Sequence, residues 1–189
     1  MDQIHAKTTR TVLSVSALAA VWSAGKGIYG LMKGLSDTRF GPNESLTRGM
    51  LVTVLYRLEG EPEAAGENPF ADVADGEYYA QPILWAQQNG IVYGMTETSF
   101  APNAKLTREQ IAAILYRYAQ YKGIDTETEE FNLLFDDASQ ISEYALESMN
   151  WACGAGLIRG RTETTLSPKG NATRAEIAAI LHRFIQANS

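Results

Sequence analysis

Gly160-Arg161-Thr162-Glu163-Thr164-Thr165-Leu166-Ser167-Pro168-Lys169, continuing through Ala172-Thr173-Arg174-Ala175-Glu176, is the third statement of one phrase. The second statement is Gly94-Met95-Thr96-Glu97-Thr98-Ser99-Phe100-Ala101-Pro102-Asn103, continuing through Leu106-Thr107-Arg108. The first is Gly34-Leu35-Ser36-Asp37-Thr38-Arg39-Phe40-Gly41-Pro42-Asn43, continuing through Leu46-Thr47-Arg48. The glycine precedes the arginine by 14 residues in each copy. A period of roughly 60 residues predicts a repeat architecture. One such unit cannot bury its apolar stripes alone, so the three must share a core.

Each unit reads outward from this phrase as helix, glycine turn, loop, helix. The threonine before the arginine is an N-cap, and Gln110 and Glu176 stand where a capping box needs them. Met50 occupies that place in unit one, which keeps the cap and loses its reciprocal half. Apolar residues follow at helical spacing: Met50, Val54 and Leu55; Ile111, Ile114 and Leu115; Ile177, Ile180 and Leu181. These second helices are expected at the shared centre. The first helices carry Ile83, Leu84 and Trp85-Ala86 in unit two, and Tyr144, Leu146, Met149 and Trp151-Ala152 in unit three. Pro82 suits a first helical turn, and Gly90 and Gly156 suit the stops. Trp22 before Gly27-Ile28 continues this register, so residues 11–22 read as the first helix of unit one rather than a signal peptide. Acidic linkers at 59–69 and 122–130 divide the chain into units at 1–60, 68–122 and 133–187. The expected fold is mainly α: three helix–loop–helix repeats with pseudo-threefold symmetry around a shared helical core.

Composition narrows the function. A net charge of -6 with no Lys/Arg run argues against nucleic acid as a partner. The run at 11–22 is too short to span a bilayer, so no membrane role is expected. The lone Cys153 lies in an apolar helical stretch and reads as buried. His5 and His182 belong to no catalytic set, and no metal or cofactor pattern stands out, so no enzyme activity is expected. Asp72 and Asp137 read as caps of local turns rather than metal ligands. Trp22, Trp85 and Trp151 read as core residues.

Phe70-Ala71-Asp72-Val73, Trp85-Ala86, Gly94-Met95-Thr96-Glu97, Phe100-Ala101-Pro102 and Thr107-Arg108, with the full Thr173-Arg174-Ala175-Glu176 in unit three, resemble the S-layer homology domain family. The resemblance covers about residues 20–187 and leaves the first half of unit one divergent. It implies a three-unit helical spindle on a bacterial surface, in the cell wall or S-layer, anchored non-covalently to an anionic secondary cell-wall polysaccharide, often pyruvylated. It places that ligand in grooves between units, on Arg48, Arg108 and Arg174 and on Gly34, Gly94 and Gly160. Thr47-Arg48-Gly49-Met50 and Thr107-Arg108-Glu109-Gln110 depart from the family's glutamate, and Glu109 sets a carboxylate beside Arg108 in the chain.

The chemistry suits these residues. A guanidinium pairs with a carboxylate through two parallel hydrogen bonds. The first turn of a helix adds free N–H groups and a favourable dipole for an anion. Ser36 and Asp37, Thr96 and Glu97, and Thr162 and Glu163 are candidate partners for sugar hydroxyls. The competing reading makes each arginine a tie between loop and helix. The competing function is a protein-interaction or surface-assembly module that self-associates without binding sugar. On the anchoring reading, replacing Arg108 and Arg174 with Ala should weaken binding without unfolding.

Overall fold

The computed structural model describes residues 31–127 and 133–188. The proposed helix at 11–22, with Trp22 and Gly27-Ile28, lies outside these residues. The described helices are α1 (Arg48–Leu58), α2 (Ala80–Gln88), α3 (Arg108–Tyr121), α4 (Leu146–Gly154) and α5 (Arg174–Ala187), with short 3-10 turns at Ala138–Gln140 and Glu143–Ala145. The fold is mainly α, and pairing between extended segments among the described residues is limited to isolated bridges.

Local chemistry starts and stops these helices where the sequence predicts. The Thr47 hydroxyl accepts from the Met50 N–H, and Thr107 and Thr173 form complete capping boxes with Gln110 and Glu176. Gly60, Gly90, Gly123 and Gly156 follow helix ends with left-handed φ of 67–78°. A side chain there would press on the backbone, which is why glycine ends helices so often.

The units interlock in a cycle. Leu46 N–H donates to the Ala172 carbonyl at 3.0 Å, Ala172 N–H to Leu106 at 3.0 Å, and Leu106 N–H to Leu46 at 3.1 Å. The next residues form a second ring in the opposite sense. Arg48 N–H bonds to Ala104, Arg108 to Gly170, and Arg174 to Glu44. Each unit therefore satisfies the first N–H groups of the preceding unit's second helix, which have no partner within the helix itself. Leu46, Leu106 and Ala172 are fully buried at this junction.

Side chains pack across two of the same boundaries. α1 packs on α2 and α3 packs on α4, so a second helix lies against the first helix of the next unit. The apolar faces of α1, α3 and α5 join one continuous core with Ile83, Trp85, Met149 and Trp151. Both described tryptophans are core residues, as expected. Tyr116 meets Trp151 edge-on at 5.6 Å, and Tyr121 meets Trp85 at 5.7 Å. Cys153 is buried, and burial pushes its thiol up to about 11. Three expectations shift. Met50 is half-buried at a groove while Leu51 is buried behind it, and Tyr144 and Leu146 are exposed while Ala145 is buried.

Candidate functional site

The three motif arginines are buried, and each reaches across a unit boundary. Arg48 donates from Nε to the Phe100 carbonyl and from Nη2 to the Tyr93 carbonyl, both at 2.9 Å. Arg108 donates in the same way to Leu166 at 2.9 Å and to Arg159. Arg174 donates to Phe40 at 2.9 Å and to Lys33. Arg48 and Arg174 also lie over the rings of Phe100 and Phe40, at 4.4 and 4.9 Å. The guanidinium thus ties the glycine loop of one unit to the second helix of the unit before it. Burial pushes all three below the usual arginine range, which leaves them cationic at neutral pH.

Two of the guanidinium nitrogens are committed to carbonyls, and the third differs by unit. Arg174 Nη1 is 3.8 Å from the Met50 sulfur. Arg108 Nη1 is 3.9 Å from the Glu176 carboxylate. Arg48 Nη1 has no hydrogen-bond partner among the described residues. No side-chain nitrogen or oxygen enclosed there lacks a partner, so this one is within reach of solvent.

The glycines shape the loops beneath. A Cβ on Gly94 would lie 2.6 Å from the Phe70 ring and 2.9 Å from the Ser99 carbonyl. A Cβ on Gly160 would lie 2.6 Å from Phe135, and one on Gly34 would lie 2.9 Å from the Arg39 carbonyl. Any side chain would wedge the loop off its own backbone, so glycine is demanded by the loop itself. Asp72 clamps the far side, accepting from Ser99 Oγ at 2.8 Å, Phe100 N at 2.8 Å and Ala101 N at 2.7 Å. Asp137 accepts from Leu166 N and Ser167 N at 2.7 Å. Burial works against both carboxylates, but these hydrogen bonds outweigh it and hold them below the ordinary aspartate value. Their role as turn caps matches the sequence reading.

The remaining predicted residues sit on the loop surface. The Thr96 hydroxyl accepts from Ser99 N and the Thr162 hydroxyl from Thr165 N, so both brace the turn. Ser36 pairs by backbone with Arg39. Asp37, Glu97 and Glu163 are exposed. Glu109 is turned away from Arg108. Its carboxylate accepts from Ser142 N and Oγ at 3.0 Å, from Tyr144 at 3.1 Å and from Lys169 at 2.8 Å. The carboxylate facing Arg108 is Glu176, from the next unit.

A cavity of about 350 Å³ lies where these parts converge at the first loop. Lys33, Gly34, Leu35, Met50, Arg57 and Arg174 line it, and Tyr78 from unit two closes its rim. Arg57 belongs to a second repeated set that the motif reading passed over. Arg57 donates to Leu31, Arg117 to Ile91 and Arg183 to Leu157. The signal was present as Leu55-Tyr56-Arg57, Leu115-Tyr116-Arg117 and Leu181-His182-Arg183. By the same register Arg48, Arg117 and Tyr144 correspond at the second unit boundary to Arg174, Arg57 and Tyr78, and Arg108 and Arg183 correspond at the third to the two arginines. The Arg117 guanidinium lies 5.1 Å over the Tyr93 ring. Arg183 is pushed down to about 10, first by burial and then by Arg159 and Arg108, which marks that boundary as crowded with cations.

The S-layer homology domain family profile matches residues 29–49, 69–112 and 134–178. The chain belongs to the S-layer homology domain family. Its relatives combine that domain with different neighbours. An amylopullulanase of Thermoanaerobacterium thermosulfurigenes is 33% identical over 159 residues, covering 82% of this chain and 8% of that protein. The exoglucanase XynX of Acetivibrio thermocellus is 32% identical, over 82% of this chain and 14% of its own length. A surface-layer 125 kDa protein of Lysinibacillus sphaericus is 31% identical, over 83% of this chain and 13% of its own length. The S-layer homology region here thus spans under a fifth of each relative. No helix among its described residues is long and apolar enough to cross a membrane.

Proposed function

We propose that this chain is a non-catalytic anchoring module that binds an anionic secondary cell-wall polysaccharide, carrying pyruvate ketals, in the grooves between its units. The observation that carries the reading is the groove in which Arg174, Arg57 and Lys33 converge beside the Gly34 loop under Tyr78. A pyruvylated sugar offers a carboxylate to the guanidinium groups and an apolar ring face to the tyrosine. The relatives fit the same reading. An amylopullulanase, an exoglucanase and a surface-layer protein share this region, and what they have in common is a need for attachment rather than a reaction. Several weak grooves along one polymer would reinforce each other through effective concentration. The net charge of -6 opposes capture at long range, but screening leaves the local arginines effective.

Calorimetric titration with purified pyruvylated wall polymer tests the proposal. Binding that weakens with salt and disappears when the ketal is removed is the expected result. Absence of binding at millimolar saccharide would sink it. The alternative is a surface-assembly module, and it takes over if the protein self-associates with concentration while ignoring the polymer.

A further inference from the structure

Two of the three glycine loops carry a short turn of the chain on their outer side. In unit two the turn Phe70-Ala71-Asp72-Val73, closed by Val73 N–H on the Phe70 carbonyl at 3.1 Å, sits on the loop. Its Ala71 N–H donates to the Thr98 carbonyl at 2.8 Å, and Asp72 accepts from Ser99 Oγ, Phe100 N and Ala101 N. The Phe70 ring lies 5.4 Å from the Phe100 ring and covers Gly94. Unit three repeats this with Asp136 N–H on the Thr164 carbonyl, Asp137 on Leu166 N and Ser167 N, and the Phe135 ring over Gly160. In unit one the corresponding Thr38 carbonyl and Gly41 N–H have no hydrogen-bond partner among the described residues, although Gly41 is buried. A buried amide without an acceptor is costly. An open cavity of about 470 Å³ is lined there by residues 38–44. Where the second loop offers the Ser99 hydroxyl, the first offers the exposed guanidinium of Arg39, which reaches Glu44 at 2.6 Å.

We infer that the first loop is a docking site for another polypeptide, whose occupying segment is a turn of the form aromatic-x-aspartate, seated as Phe70-Ala71-Asp72 is seated in unit two. The aspartate accepts from the Gly41 N–H and pairs with Arg39, a charge-assisted contact. The middle residue donates its N–H to the Thr38 carbonyl, and the aromatic ring covers Gly34. The chain does not supply this segment in register. Asp72 and Asp137 stand 22 and 23 residues before Gly94 and Gly160, whereas the one carboxylate in residues 1–33 is Asp2, 32 residues before Gly34. A second copy has no spare turn among its described residues, because Phe70 and Phe135 are already seated on their own loops. The inference adds a protein partner and does not rest on the polysaccharide reading.

The probe is a fluorescent peptide copying residues 67–75, added to the full chain. Anisotropy reads affinity, and nitrogen–proton amide spectra read location. Saturable binding is expected, with the Gly41 amide signal moving downfield as it gains a carboxylate. The same peptide with Asp72→Asn should bind about tenfold more weakly or worse, the loss of hydrogen bonds to a charged group. Arg39→Ala in the protein should weaken binding about fivefold, the worth of an exposed ion pair, with circular dichroism unchanged. Three results overturn the inference. One is no saturable binding at millimolar peptide, the outcome if residues 1–30 of the chain cover the loop. Another is equal binding of the asparagine peptide, or amide shifts confined to the loops of Ala101 and Ser167. The third is a dimer in sedimentation that the peptide dissociates, which gives the loop to a second copy. None of these results bears on the polymer titration, so the anchoring reading stands or falls separately.

Discussion

Each motif arginine ties a neighbouring loop, and under the proposed function it would also meet the ligand, two jobs that a binding assay alone would confuse. Arg48 satisfies two buried carbonyls of the neighbouring loop, and only its third nitrogen faces outward. Hydrogen bonds to a charged group contribute about 1.5–3 kcal/mol each, and removal leaves both carbonyls without a donor. Arg48→Ala should therefore lower stability by about 3 kcal/mol, read as a drop in urea midpoint with the slope unchanged. This revises the expectation that such a change spares the fold, and the same holds for Arg108 and Arg174. Loss of binding with no loss of stability would point to a ligand contact alone. Glu109 supplies a pH signature. Burial opposes its ionised form, yet Lys169, Ser142 and Tyr144 hold it below the ordinary glutamate value. Its contribution is complete above the unfolded value of about 4.3 and is lost as pH falls through the lower folded value. Glu109→Gln should give a shallower acid limb in a plot of stability against pH; an unchanged limb would remove Glu109 from the account.

At the scale of the element, the loop before each second helix solves one problem in two ways. The chain turns through left-handed φ at Gly41 (65°), Ala101 (57°) and Ser167 (55°). In units two and three the strained residue donates to Asp72 or Asp137, so the aspartate holds what glycine would permit freely. Unit one has glycine at this place and an exposed Arg39–Glu44 ion pair across its loop. The sequence before this loop carries no Phe-x-Asp-Val, and Gly41 takes the left-handed φ without a Cβ to strain it. Ala101→Gly should stabilise by about 0.5–1 kcal/mol, because it relieves the Cβ clash of the left-handed region. Asp137→Ala should cost about 2 kcal/mol, since it frees two amides and the strain together. Thermal melts distinguish these opposite signs directly.

At the scale of the molecule, the cyclic hydrogen bonds make the units dependent on one another. In a linear array of repeats a terminal unit can fray alone. Here each second helix needs the next unit's loop carbonyls, and α1 and α3 also pack on the next unit's first helix. The described chain should unfold in one transition, with far-ultraviolet circular dichroism and the fluorescence of Trp85 and Trp151 changing together. Separated transitions for the two probes would refute this interlock. The same dependence makes the grooves a property of the assembly, since Arg174, Arg57 and Tyr78 come from three different units.

The sequence by itself determined the number of units, the capped starts of the second helices, the glycine stops and the identity of the recurring arginines. These depend on spacing within about 20 residues, where turn chemistry and helical period act directly. It also placed Trp85, Trp151 and Cys153 inside, because apolar stripes at helical spacing have few other uses. Only the tertiary structure decided which unit each arginine serves. Arg108 and Glu109 are neighbours in the chain, yet helical geometry turns them to different partners, and the carboxylate beside Arg108 arrives from 68 residues later as Glu176. Arg57, Arg117 and Arg183 are each tied within their own unit to a carbonyl 26 residues earlier, a pairing that helical spacing does not encode. Long-range pairing is set by how whole units close on one another, and a spacing rule within one unit carries no information about it.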